Sequence, residues 1–125
     1  DFNSYKKEIT NQSHWLKAYL KALEFWSSRL DKREINSIFF GGGTPSLLEP
    51  DFVAMVLKKT YSLWSINSDC EITIEANPNS VSASKFKLFR DIGINRVSVG
   101  VQALNNQDLD SLGRDHTKNQ AIEAI

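Results

Sequence analysis

Three short runs with strand character alternate with stretches of helical spacing, and this alternation limits the fold more than any other feature of the chain. Residues 35–40 are an apolar run that stops at Gly41-Gly42-Gly43, residues 71–75 alternate polar with apolar, and residues 96–102 alternate again. Helical periodicity precedes, separates and follows them, so the order reads αβαβαβα. Strands joined through helices pair in parallel, either in a doubly wound sheet or in a closed barrel.

The helices read as follows. Residues 13–30 place Leu16, Tyr19, Leu20, Leu23 and Leu30 on one stripe, with Ser13 as the expected N-cap. Pro50 suits the first turn of a second helix with Val53, Val56, Leu57 and Trp64 inward. A third covers residues 82–92, with Phe86, Phe89 and Ile92 inward and Gly93 supplying the left-handed position after its end. From Asn105 the pattern is helical again, with Leu109 and Leu112 on one face and an interruption at Gly113 before residues 117–125.

The alternation inside two strands selects the barrel. Strands of a doubly wound sheet are covered on both faces and are apolar throughout. Here Glu71, Thr73 and Glu75 share one face against Ile72 and Ile74, and Ser98, Gly100 and Gln102 oppose Val97, Val99 and Val101. A barrel packs the apolar set outward against helices and lines its interior with the polar set. Glu75 and Gln102 are expected as the last residues of their strands. With the glycine turn they would meet at the C-terminal rim, where barrel enzymes assemble their sites.

Composition excludes several function classes. Fifteen basic residues balance fifteen acidic ones, which disfavours a nucleic-acid or membrane-surface partner. At 41% hydrophobic and 24% charged the chain reads as globular, and its tryptophans and phenylalanines are expected in the core. Cys70 is the single cysteine, so no disulfide and no multi-cysteine metal site arise from this chain, and a reducing, cytoplasmic compartment is expected. No apolar run reaches the roughly 18 residues of a transmembrane segment. Asp1, not Met, opens the sequence, as expected of a processed chain or a fragment.

Residues 41–46, Gly-Gly-Gly-Thr-Pro-Ser, allow a ligand close to the backbone, and Thr44 adds a hydroxyl; the same glycines could equally serve only the tight turn. The Gly-Lys-Ser/Thr ending of a Walker loop is missing. Glu75 could accept from ribose hydroxyls or an ammonium group, Gln102 both donates and accepts, and Arg114 could grip a carboxylate; each could equally be plain surface. His14 and His116 are too isolated for a metal site and receive no catalytic role.

Four motifs in order, at residues 38–46 (Ile-Phe-Phe-Gly-Gly-Gly-Thr-Pro-Ser), 75–78 (Glu-Ala-Asn-Pro), 98–102 (Ser-Val-Gly-Val-Gln) and 112–114 (Leu-Gly-Arg), resemble successive motifs of the radical S-adenosylmethionine (SAM) branch containing HemN and HemW. In that branch a Cys-x-x-x-Cys-x-x-Cys loop binds a [4Fe-4S] cluster, and HemW-like members continue with Asp-Phe-Asn-Ser, as Asp1-Phe2-Asn3-Ser4 does here. The resemblance implies a partial (β/α) TIM-like barrel over residues 1–125, beginning just after the cluster cysteines. It implies SAM contacts at Gly42, Gly43 and Thr44 for the amino-acid end and at Glu75, Gln102 and Arg114 around the ribose and carboxylate. A reduced cluster cleaves SAM to a 5′-deoxyadenosyl radical in this family.

The first functional expectation is a HemW-like heme chaperone with a heme or porphyrin ligand and a heme-accepting protein as partner. The second is a HemN-like oxygen-independent coproporphyrinogen III dehydrogenase, and the third a nucleotide-binding α/β domain without radical chemistry. The 125 residues alone are expected to carry no cluster and to cleave no SAM, and to be poorly soluble because an open set of three parallel strands leaves edges and polar interior faces uncovered.

Overall fold

Asn11, and not Ser13, caps the first helix. In the computed structural model, which describes residues 11–80 and 82–125, the Asn11 side chain accepts from the His14 N–H at 3.1 Å and the Ser13 hydroxyl donates to the same oxygen. Helix α1 therefore runs over Gln12–Ser27, short of the expected end at residue 30. Leu16 and Leu23 lean on the core, whereas Trp15, Tyr19 and Trp26 are exposed, which corrects the expectation that the tryptophans are core residues. Asp1-Phe2-Asn3-Ser4 lies outside the described residues.

Strand β1 (Glu34–Phe40) leads through the glycine turn and one 3-10 turn (Pro45–Leu47) to helix α2 (Pro50–Leu63), with Pro50 at its first position. Phe52, Val53, Val56 and Leu57 form its buried face; Trp64 follows its end and is only half-buried. Strand β2 (Ser65–Ala76) is longer than expected, helix α3 covers Ala83–Asp91, and strand β3 covers Arg96–Val99. Phe89 is fully buried while Phe86 and Ile92 are half-buried. The three strands form one sheet in the order β1-β2-β3, parallel at both junctions.

This is the α/β architecture expected from the alternation, with Ile72 and Ile74 on the face packed by α2 and α3. The opposite face of β2 is drier than expected at one position: Thr73 is 1% exposed, shielded where its hydroxyl meets Glu71 and Arg96.

Two short helices complete the described chain, α4 (Asn106–Ser111) and α5 (Lys118–Glu123). Six residues do not sustain a helix by propensity alone, so their ends matter. Asn105 caps α4, and Thr117 with Gln120 forms a reciprocal capping box on α5. Leu109 is fully buried, but Leu112, expected on the same face, is 60% exposed because it sits beyond the last helical residue.

Candidate functional site

The C-terminal ends of β1, β2 and β3 open into a polar cleft of about 380 Å³. Gly42, Gly43, Thr44, Glu75, Gln102 and Arg114, all six residues singled out from the sequence, line it. They arrive from four separate stretches of chain, each positioned by a different local device.

Gly42 has φ +122°, a backbone region that glycine adopts without penalty, and its N–H donates to Glu75 Oε2 at 3.1 Å. This bond joins the first motif to the second, at the end of β2. At Gly41 a Cβ would stand 2.8 Å from Phe39 Cε1 and 3.4 Å from Glu75 Oε2, so a side chain there would displace the exposed Phe39 ring. At Gly43 a Cβ would meet nothing within 4 Å. A second tie runs behind the turn: Ser80 Oγ donates to the Asn77 carbonyl at 2.7 Å, so Ser46, 2.7 Å away, is the donor to Ser80.

Glu75 is the penultimate residue of β2 and not its last. Gln102 departs further from expectation. Strand β3 ends at Val99, and Gln102 lies three positions on, at φ +68°, in a tight turn where the Ala103 N–H donates to the Val101 carbonyl at 2.9 Å. That is a three-residue turn of the rarer, strained hand. Past the end of β3 the Gly100 N–H still donates to Ala76 O at 2.9 Å before the chain turns away.

Arg114 owes its place to a Schellman motif at the end of α4. Gly113, at φ +64°, donates to Asp110 O and Arg114 N–H donates back to Leu109 O, which swings the chain off the helix at the cleft. Arg114 Nη2 donates to Gly100 O at 3.2 Å, and its Nε is buried without a partner among the described residues. A Cβ on Gly100 would lie 3.5 Å from Arg114 Nη2 and 3.7 Å from Gln102 Nε2, so the two donors converge over that glycine.

The cleft thus offers a carboxylate on one wall, a guanidinium and a carboxamide on the other, and glycine backbone at its mouth. Such a set suits a zwitterion carrying hydroxyls. An adjacent groove of about 440 Å³, sharing Gly43 and Thr44, is lined by Trp15, Tyr19, Phe39 and Phe52 with no charged side chain, and cannot satisfy such a ligand.

The model of the radical SAM superfamily matches residues 23–125 of this chain. The chain belongs to the radical SAM superfamily. A heme chaperone HemW from Buchnera aphidicola subsp. Schizaphis graminum is 40% identical over 126 aligned positions, which cover 100% of this chain and 34% of that protein. The mitochondrial radical S-adenosyl methionine domain-containing protein 1 of Bos taurus is 43% identical over 93 positions, 74% of this chain and 21% of that protein. Among solved structures, coproporphyrinogen III oxidase (HemN) from Escherichia coli, a radical SAM enzyme, superposes with a TM-score of 0.73 at 28% identity, over 94% of this chain and 28% of that one. The chain therefore spans about a third of the HemW relatives' length.

Radical SAM membership implies SAM and a [4Fe-4S] cluster, and the residues present answer differently to the two. The orphaned Nε of Arg114 is a donor that the carboxylate of a bound zwitterion would complete. The cluster finds no ligand set here: Cys70 is the single cysteine, it is buried in the core, and that burial pushes its thiol pKa up, away from the thiolate that iron requires. Among the described residues no group of three metal-ligating side chains occurs, and no helix is long and apolar enough to cross a membrane.

Four residues outside the sequence-derived set brace the cleft. Asn79 Nδ2 donates to Asp115 O at 2.7 Å, Asn77 Nδ2 to Asp115 Oδ1 at 3.4 Å, His116 Nε2 bonds Val101 O at 2.9 Å, and Ser80 carries the tie to Ser46. The Asn-Pro-Asn run after Glu75 was a turn signal that could have pointed to Asn77 and Asn79.

Proposed function

We propose that these residues form part of the SAM-binding core of a HemW-like heme chaperone. The observation that carries the reading is the convergence of Gly42, Gly43, Thr44, Glu75, Gln102 and Arg114 on one polar cleft at the strand ends. Glu75 would accept from the ribose hydroxyls, Arg114 would take the carboxylate with Nε and a terminal nitrogen, and the backbone at Gly43 and Thr44 would admit the amino-acid end. When bound, SAM with its cluster supplies the family's radical chemistry; this chain's part is to hold and orient SAM and to exclude water. The cluster's cysteines would come from chain outside these 125 residues. Heme, and a protein that receives it, are proposed as cargo and partner on the strength of the HemW relatives, and the cytoplasm as the compartment.

Binding of SAM to the full-length protein is the direct test. Wild type binds in equilibrium dialysis, Arg114→Ala weakens binding by roughly tenfold or more, and equal affinity of the two sinks the assignment. Heme is tested separately by titration followed at the Soret band.

The likeness to HemN favours a second reading, oxidative decarboxylation of coproporphyrinogen III. Anaerobic turnover of that substrate by the full-length, cluster-loaded protein would replace the chaperone reading and leave the SAM assignment standing.

A further inference from the structure

His116 is 3% exposed, and its Nε2 lies 2.9 Å from the Val101 carbonyl oxygen. A carbonyl only accepts, so Nε2 is the donor, and the other ring nitrogen is Nδ1. That Nδ1 is buried and unpartnered among the described residues. An apolar side chain would fill the same space without stranding a polar atom, so packing does not explain an imidazole here.

The bond itself does. Val101 O already accepts from Ala103 N–H to close the turn around Gln102, whose φ of +68° is a strained conformation for a non-glycine residue. His116 adds a second donor to that same carbonyl. One residue earlier, Gly100 O receives Arg114 Nη2. Two successive carbonyls of the turn are therefore gripped by residues 114 and 116, and Asp115 between them is held from the far side by Asn79 and Asn77. The turn that presents Gln102 and the loop that presents Arg114 become one unit.

We propose that His116 is a positioning residue for the SAM site: it locks the turn at residues 100–103 so that Gln102 stands over Gly100, beside Arg114, before the ligand arrives. It touches no ligand and acts through Val101. This rests on the SAM reading above for its ligand, but the locking of the turn is measurable without any ligand.

The experiment uses the full-length protein as wild type, His116→Ala, His116→Gln, Gln102→Ala and the double variant His116→Ala/Gln102→Ala. In ligand-free protein, hydrogen exchange at the Ala103 amide rises at least tenfold in His116→Ala while the Ile74 amide, in the core, is unchanged. The SAM dissociation constant rises roughly tenfold in His116→Ala, returns most of the way in His116→Gln, whose carboxamide can donate to Val101 O, and rises less than twofold when His116→Ala is added to Gln102→Ala. Unchanged exchange at Ala103 overturns the proposal. So does an affinity loss of the same size in both backgrounds, because His116 would then act by general stability. If wild type binds no SAM, the functional reading fails while the exchange measurement still decides the lock.

Discussion

Residues 34–94 and residues 99–125 are held together by different forces. In the first region Val53, Leu57, Ile74 and Phe89 are all but fully buried, and two helices of 14 and 9 residues cover one face of the sheet. In the second, Leu109 and Ala121 are the buried apolar residues among those described, and both helices have six residues. What order it has comes from directed bonds: the Asn105 cap, the Thr117–Gln120 box, the two grips on Gly100 and Val101, and Lys118 N–H donating to Asn106 Oδ1 at 2.9 Å. Apolar packing gives bulk stability without direction, whereas hydrogen bonds fix angles and positions at small net energy. The cleft spans the seam, with Glu75 on the packed side and Gln102 and Arg114 on the bonded side.

Substitutions separate the two kinds of order. Phe89→Ala removes a fully buried ring from the packed region and should cost about 3–5 kcal/mol in denaturant unfolding; a comparable loss from one substitution after residue 99 would break the contrast. Gly113→Ala forces an alanine to φ +64°, costs about 1–2 kcal/mol, and lowers SAM affinity because Arg114 leaves the helix through that glycine. Full SAM affinity in this variant would show that the Schellman geometry does not set the arginine. Thr117→Ala strips the α5 cap and costs about 1 kcal/mol by thermal denaturation, with SAM affinity changed less than in Gly113→Ala. Gln102→Gly runs the other way: relief of the positive φ raises stability by up to about 1 kcal/mol, while SAM binding weakens. A stabilised variant with wild-type affinity would strike Gln102 from the site.

The packed region was the more legible one. Its strands and helices announce themselves through Ile72 and Ile74 against Glu71 and Glu75, and through Val53, Val56 and Leu57 on one stripe, since burial writes a period into the sequence. The helix-ending glycine at Gly93 was equally readable, because few other residues tolerate φ +109° there. Some misreadings fall where bonding replaces packing. The strand assigned to residues 96–102 overran because Val99, Gly100, Val101 and Gln102 keep alternating after the ladder has stopped. His116 was passed over because its partner is a backbone carbonyl fifteen residues earlier, which leaves no trace in side-chain spacing. Asn11 and Ser13 are both good capping residues, and only the hydrogen bond to His14 N–H decides between them.

The register between β1 and β2 slips near its beginning: β1 advances from Ile35 to Ile38 while β2 advances from Ile66 to Ile72. The surplus on β2 is a bulge within the strand, where Asn67 Oδ1 accepts from Asp69 N–H and Ser68 is exposed. It preserves the inward direction of Ile35, Ile38, Ile66 and Ile72 despite the slip. Because it sits at the opposite end of the strand from Glu75, roughly 20 Å away along the chain, it is a natural mounting point. A fluorophore or spin label attached at Ser68 would travel with the sheet yet stay clear of any cofactor, giving an observer's seat on ligand binding from outside the chemistry.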